Sequence, residues 1–399
     1  MTVFVIATCD TKGTEAAFVR DRLRQLNLPS MLIDVSCSHS ATFPADVSRD
    51  EILQSESLDA DRGRAVERMA TSVSNWFGDQ QAHSKVSGVI GLGGSAGTTI
   101  ATTAMRRLPI DIPKIMISTL ASSNVRPWVA DKNIYMFNSI VDIAGLNRIS
   151  RLILDDAVRA MAGLVTIPKE LTTRNERPVI AATMFGVTTP CVQRARSALE
   201  AEGFEVLVFH ATGNGGQAME SLIEAGAIDA ILDMTTTELA DELVGGILSA
   251  GPDRLKAASS RGIPQLVSVG ALDMVNFGPL PTVPDRFLHR QFHVHNPTVT
   301  LMRTTKDENY QLGNWIGERA SQSRGPIQVW FPNKGVSSID GIGQPFDSPE
   351  CREYLLRGLQ RHADHFQLVV RDEHINDASF ATAAAEALIS MMQAKSNSV

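Results

Sequence analysis

The sequence predicts an α/β protein built from two successive doubly wound domains with mainly parallel sheets. Three observations carry this. Short apolar runs, long enough for buried strands and too short for helices, alternate with stretches of helical period. The alternation breaks near residue 170 and restarts near residue 178. The 399-residue length also exceeds what one domain of roughly 150 residues holds.

The elements follow in order. Residues 3–7 (VFVIA) read as a buried parallel strand, residues 8–13 as a polar turn, and a helix starts near Thr14 with Phe18, Leu23 and Leu26 on one side. Pro29 closes it, and residues 31–35 form the second strand. Residues 47–77 are charged and helical, as one long or two shorter helices. Residues 86–90 make a third strand that empties into the glycine-rich stretch 91–99, and a helix runs on through Arg107. Strands at 114–117 and 134–137 precede a helical run over 141–164, the longest expected in this half. Residues 166–178 (TIPKELTTRNERP) break every periodicity and read as a linker, which gives domains at 1–170 and 178–399. In the second half, strands are expected at 179–183, 206–209, 230–233, 265–269, 298–302, 327–331 and 366–370. Helices lie between them, a long irregular segment separates the strands at 265–269 and 298–302, and 378–392 is a closing helix.

Composition excludes several classes of function. The 43% hydrophobic and 20% charged content suits a globular core in each half. A net charge of −7 without a basic run leaves no stripe to neutralise a nucleic-acid backbone. No stretch of about 18 apolar residues predicts a membrane span. The first residues carry no basic segment of a secretory signal. Cys9, Cys37, Cys191 and Cys351 are widely spaced, which fits reduced thiols and a cytoplasmic setting rather than a zinc knuckle.

Ligands of open α/β sheets bind beyond the carboxyl ends of the strands, so the residues after each strand are the informative ones. Gly91-Leu92-Gly93-Gly94-Ser95-Ala96-Gly97-Thr98-Thr99 lets backbone N–H groups approach a phosphate, with Ser95, Thr98 and Thr99 placed to cap the next helix. Ala96 departs from the dinucleotide fingerprint, and no Lys-Ser/Thr pair follows as in a P-loop. A tight strand-to-helix turn is the alternative. In the first loop, Lys12 can place a charge on a phosphate and Asp10 can hold Mg2+ through water. Equally, Asp10 can cap the helix and Lys12 be solvated.

In the second half, Thr188-Thr189, Gly213, Gly215-Gly216 and Thr236 lie in three hydroxyl- or glycine-rich loops and suggest a pocket for a polar, anionic small molecule. His210 and Asp233 end strands there; the histidine reads as acid, base or ligand donor, or as a hydrogen-bonded structural residue. Asn296 and Arg303 are placed to reach a substrate carboxylate or phosphate, or their segment forms a dimer contact. His289, His293 and His295 lie close in sequence but lack a carboxylate among them, which argues against a metal site. Ser337 and Asp340 complete the candidates.

Several motifs together resemble one family: ATCDTKG (7–13), GLGGSAGT (91–98), SIVDIAGLNRISR (139–151), TMFGVTTPCV (183–192), FHATGNGGQAME (209–220), DMTTTELAD (233–241), SVGALDMVNFG (268–278) and HNPTVTLMRTT (295–305). It is the family of bacterial and fungal proteins similar to the ATP-binding N-terminal region of the tomato mosaic virus resistance protein. The resemblance covers essentially the whole chain. It implies two tandem Rossmann-like three-layer (αβα) domains, ATP with Mg2+ bound in the first, and homodimers. It places the nucleotide against Asp10, Thr11, Lys12, Gly13, Gly93, Gly94, Ser95, Gly97, Thr98 and Ser118, with Asp10 as the metal residue.

The expectation that follows is an ATP-dependent enzyme acting on a small carboxylate or sugar-acid-like substrate in a cleft between the domains. His210, Arg303 and Asp233 would be its catalytic residues; Thr188, Thr189, Gly213, Gly215, Gly216, Thr236 and Asn296 would bind substrate. The alternatives are a non-catalytic ATP-binding module, whose nucleotide orders a dimer or partner surface, and an enzyme for another phosphate compound.

Overall fold

A computed structural model describes residues 2–54, 57–83, 85–167 and 177–396. The chain divides into two compact units, residues 1–172 and 173–399.

Unit 1 runs β1 (Thr2–Ala7), α1 (Cys9–Gln25), β2 (Ser30–Asp34), α2 (Arg49–Leu53), α3 (Arg62–Ala82), β3 (Val86–Gly93), α4 (Ser95–Arg106), β4 (Lys114–Ser118), α5 (Arg126–Val129), β5 (Tyr135–Asn138) and α6 (Arg148–Thr166). Its sheet has the order β2-β1-β3-β4-β5, with every neighbouring pair parallel. Side-chain alternation sorts the strands into two cores. Val3, Val5, Ile90, Leu92, Ile115 and Ile117 pack with Val19, Leu23, Leu154 and Met161 of α1 and α6. Phe4, Ile6, Ile33, Val89 and Met116 pack with Met69, Val73, Phe77 and Ile100 of α3 and α4. Burial on both faces is what the near-continuous apolar runs anticipate.

Two elements of unit 1 differ from the sequence-based expectation. The polar stretch after β1 is not a turn: α1 starts at Cys9, so Asp10, Thr11, Lys12 and Gly13 are helical. The run expected over 141–164 begins only at Arg148, where Asn147 caps the helix by accepting from the N–H groups of Ile149 and Ser150. Residues 141–147 are loop, and α3, not α6, is the longest helix of this unit. Most of the expected linker, residues 168–176, lies outside the described residues.

Unit 2 runs β6 (Val179–Met184), α7 (Thr189–Ala201), β7 (Glu205–His210), α8 (Asn214–Glu224), β8 (Ala230–Thr235), α9 (Glu238–Val244), α10 (Ala257–Arg261), β9 (Gln265–Gly270), β10 (Met274–Phe277), β11 (Phe292–Asn296), β12 (Val299–Arg303), α11 (Lys306–Ser321), β13 (Ile327–Pro332), α12 (Pro349–Gln360), β14 (Gln367–Arg371) and α13 (Ala378–Ser396). The six-stranded parallel sheet has the order β14-β13-β9-β8-β6-β7. The strand expected at 298–302 is present as β12, and the segment before it, expected to be irregular, contributes β10 and β11, which pair with β12 in a separate antiparallel sheet ordered β10-β12-β11.

The two main sheets share one plan. Each opens in the order second-first-third strand, so the topology reverses between β1 and β3 in unit 1 and between β6 and β8 in unit 2. A crevice at such a reversal is the usual ligand position of this architecture.

Candidate functional site

In unit 1 the reversal point is built by the ends of β1 and β3, which pair through Ile6 and Gly91, and by the helices that leave them. The passage from β3 to α4 takes a single residue, Gly94. A Cβ on Gly93 would lie 2.9 Å from the Cα of Gly97, so strand end and first helical turn touch only because both residues are glycine. Contrary to expectation, neither Ser95, Thr98 nor Thr99 caps α4: Gly94 is its N-cap, with no side-chain bond. The first amide engaged is that of Thr98, which donates to the Gly94 carbonyl at 2.8 Å. The N–H groups of Ser95, Ala96 and Gly97 have no partner among the described residues. Three free donors at the positive end of a twelve-residue helix are a ready anion cradle.

The start of α1, by contrast, is closed from within. The Cys9 N–H donates to Asp34 Oδ1 at 3.1 Å, the Asp10 N–H to Ser36 Oγ at 2.9 Å, and the Lys12 N–H to the Thr8 carbonyl at 2.8 Å.

A cavity of about 420 Å3 gathers these pieces. Its lining includes Asp10, Thr11, Lys12, Gly94, Ser95 and Gly97 of the expected set. Lys12 is half-buried and its ammonium donates to the Ile143 carbonyl. The Asp10 carboxylate accepts from the His39 N–H and the Thr11 hydroxyl, both at 3.2 Å. Gly13, Gly93, Thr98 and Ser118 do not line the cavity but support it. Gly13 packs on Phe43, and the Thr98 and Ser118 hydroxyls bond to each other at 2.7 Å, with Ser118 also accepting from the Leu120 N–H. Arg62, His39 and Asp142 also line the cavity, and sequence reasoning passed over all three. The missed signal for Asp142 was its place just after a strand end, hidden because its segment was read as helix.

In unit 2 the same position is sealed. Arg254, whose side chain is fully buried, spans Asp233 Oδ2 at 2.5 Å and Oδ1 at 2.8 Å, Glu238 at 2.8 Å and Glu220 at 3.3 Å. Asp233 also accepts from the Thr183 hydroxyl at 2.7 Å. Glu238 in turn accepts from the N–H groups of Gly213 and Gly216 at 2.7 and 3.1 Å, so the anion at the start of α8 is the chain's own carboxylate. A Cβ on Gly216 would fall 2.2 Å from that carboxylate. Burial pushes the Glu220 and Glu238 carboxyls up, against the pull of Arg254.

The expected substrate hydroxyls are similarly spent. Thr188 bonds Thr235 at 2.7 Å, Thr189 donates to the Phe185 carbonyl at 3.1 Å, and Thr236 donates to the Ser268 carbonyl at 3.0 Å. Gly215 packs against the His210 backbone.

Residues 1–170 match the N-terminal domain, and residues 177–392 the C-terminal domain, of an uncharacterised protein family, UPF0261. The chain belongs to the UPF0261 family. A UPF0261 protein of Clostridium tetani (strain Massachusetts / E88) is 46% identical over 98% of this chain and 99% of its own. The ToMV resistance protein Tm-1(GCR237) of Solanum lycopersicum is 40% identical over 97% of this chain, which spans 55% of the tomato protein. Among solved structures, UDP-GlcNAc 2-epimerase from Neisseria meningitidis bound to UDP-GlcNAc aligns at 14% identity and a TM-score of 0.26. That alignment covers 67% of this chain and 82% of the epimerase, and it is too loose to bear on a ligand.

The remaining candidates of this UPF0261 chain are placed as follows. His210 is exposed at the end of β7, edge-on to Phe185 at 5.6 Å. Asn296 is exposed and its side-chain oxygen accepts from Thr298, shaping the turn between β11 and β12. Arg303 is buried. It donates to Asp340 at 3.1 Å, to the Asp273 carbonyl at 3.1 Å and to the Thr304 hydroxyl at 2.8 Å. Arg352 shares Asp340, and Ser337 donates to Asp273 at 2.8 Å. Burial, with Asp340 nearby, pushes Asp273 up to about 7.

Within this polar core Asp273 Oδ1, Arg303 Nε and Arg352 Nε are buried without a hydrogen-bond partner among the described residues. The three histidines form no metal cluster: among the described residues no group of three or more His, Cys, Asp or Glu side chains is placed to hold an ion. No described helix is long and apolar enough to cross a membrane.

Chemically, the open position of unit 1 offers free amide donors, an ammonium, a guanidinium and two carboxylates around one cavity. The free amides and the two cationic side chains are donors suited to an anionic group.

Proposed function

We propose that this UPF0261 chain binds ATP with Mg2+ in the unit 1 cavity and is an ATP-dependent enzyme acting on a small carboxylate or sugar-acid-like metabolite. The observation that carries the reading is the set of unpartnered amides at Ser95, Ala96 and Gly97, sharing a cavity with Lys12. The residues fit the ligand. The volume of about 420 Å3 lies within the roughly 300–1,000 Å3 usual for small-molecule sites. The α4 amides would hold phosphate oxygens, Lys12 and Arg62 would offset their charge, and Asp10 would hold Mg2+. ATP, when bound, supplies an activated phosphoryl group. The chain's part is to orient that group along the α4 axis and to keep the donors fixed by the close Gly93–Gly97 contact.

One observation favours the second reading, a nucleotide-binding module without turnover whose ATP orders a homodimer. The unit 2 hydroxyls expected to meet a substrate are committed to internal hydrogen bonds.

Calorimetric titration with ATP and Mg2+ tests the common part. Wild-type protein is expected to bind, and folded Lys12→Ala to bind about tenfold more weakly, as the loss of one charged contact implies. Absence of wild-type binding, or an unaffected Lys12→Ala, refutes the assignment. A screen of small carboxylic and sugar acids for ADP or AMP release then separates the readings. Binding with altered light scattering and no turnover selects the module.

A further inference from the structure

In unit 2 the loop between β13 and α12, residues 333–348, is tied down beyond the carboxyl ends of two strands of the six-stranded sheet. Its Val336 carbonyl accepts from the Ala271 N–H at 2.9 Å, just past β9, and its Ser338 N–H donates to the Val187 carbonyl at 3.0 Å, past β6. Val336, Ser337, Asp340 and Phe346 are buried on its inner side, while Ile342 and Gln344 are exposed.

The charges under this loop are unevenly shared. Arg303 from β12 and Arg352 from α12 both donate to Asp340 Oδ1, at 3.1 and 3.0 Å, and Arg352 also donates to Asp347 Oδ1 at 3.1 Å. Asp340 and Asp347 therefore balance both guanidiniums. Asp273 is a third carboxyl in the cluster, with no exposure and no ion pair among the described residues. Arg303 reaches its backbone carbonyl instead, at 3.1 Å. Its Oδ2 accepts from the Ser337 hydroxyl at 2.8 Å, and its Oδ1 has no partner. A buried carboxylate without a counterion of its own is costly, so the site favours the neutral acid. The shift up to about 7, chiefly from burial and next from Asp340, agrees with that allocation.

The other titratable groups around the cluster are engaged elsewhere. The Cys351 thiol donates to the Thr304 carbonyl at 3.7 Å, and Arg290 donates to the Arg303 carbonyl at 2.7 Å and to Glu308. His374 Nε2 lies 2.9 Å from the Ser337 carbonyl.

We propose that Asp273 and Ser337 form a pH-sensitive latch: the neutral acid holds residues 333–348 closed over the carboxyl edge of the unit 2 sheet, and loss of its proton releases them. An ionised Asp273 adds a second negative charge beside Asp340, and lifting a loop whose outer side is already exposed hydrates that charge without opening the sheet. The folded-state pKa lies above the unfolded one, so closure is strongest in acid and weakens as pH rises through about 7.

Hydrogen exchange read by mass spectrometry, corrected for the intrinsic pH dependence of amide exchange, tests the latch from about pH 6 to about pH 9. In wild-type protein the protection of peptides covering 333–348 is expected to fall about tenfold or more over that range. The amides of β6 keep their protection and report on global opening. Asp273→Asn, an uncharged near-isostere, is expected to stay closed throughout. Ser337→Ala keeps the acid but removes a hydrogen bond that favours its ionised form, so the loss of protection should move to higher pH. This second variant also decides the matter if Asp273→Asn does not fold. Loop protection flat with pH in wild type, or a parallel loss in β6, overturns the latch. So does a full pH dependence in Asp273→Asn, which would assign the titration to His374, or an unmoved midpoint in Ser337→Ala.

Discussion

Replacing Arg254 by Met is the most demanding perturbation this structure suggests. The guanidinium makes four contacts within 3.3 Å to Asp233, Glu238 and Glu220, and its side chain has no exposure. Methionine fills much of the volume but leaves three buried carboxylates without a counterion. Removing one partner of a buried ion pair costs about 3–5 kcal/mol. For a unit of this size that corresponds to a fall in melting temperature of about 6–20 °C.

The pH dependence follows from the direction of the shifts. Glu220 and Glu238 already have raised folded-state pKa values, chiefly from burial. A carboxyl raised on folding contributes its stability below the unfolded pKa and loses it as pH rises through the folded one. Without Arg254 that rise is steeper still, so the deficit of Arg254→Met grows from pH 5 to pH 8. Urea denaturation followed by circular dichroism across that range measures it. A loss below about 1 kcal/mol, or a deficit flat with pH, would refute the view that Arg254 neutralises this core.

Two further outcomes follow from local geometry. Ile140, exposed in the loop after β5, adopts φ 59°, and Ile140→Asn keeps that left-handed backbone with a residue that tolerates it. It should stabilise unit 1 by about 1 kcal/mol and raise its melting temperature by about 2–4 °C, read by differential scanning calorimetry. The thiols should be inert in the native state. Burial pushes Cys37 up to about 11, with Asp10 and Asp34 adding to it, and Cys191 up to about 12, while Cys9 and Cys351 are also buried. Ellman's reagent at pH 8 is expected to label none of the four rapidly until denaturant is added; a fast-reacting thiol in folded protein contradicts this.

The alternation of apolar runs and helical periods made the architecture readable, because buried parallel strands cannot be written any other way. The glycine-rich passage from β3 to α4 was readable for a related reason: Gly93 and Gly97 mark a contact that only missing Cβ atoms allow. What escaped were matters of partnership. The polar residues after β1 look like turn material, yet they are helical because Asp34 at the end of β2 and Ser36 just beyond it accept from the first amides of α1. Met274–Phe277 and Phe292–Asn296 are too short to show a period and owe their strand character to pairing with β12. Asp233 looked like an available acid until Arg254, twenty-one residues further on, was seen to hold it. Asp142 was lost because Val141 and Ile143 continue a helical-looking pattern that the backbone abandons.

Glu238 makes the two halves of this chain unequal in any titration. At the start of α8 the counter-charge is covalently attached, so its local concentration exceeds anything a dissolved phosphate compound can reach, and an added anion competes there at a loss. The α4 amides of Ser95, Ala96 and Gly97 have no such internal carboxylate. Duplication of the architecture therefore does not duplicate its charge: the helix start that carries its own carboxylate is the one in the second unit.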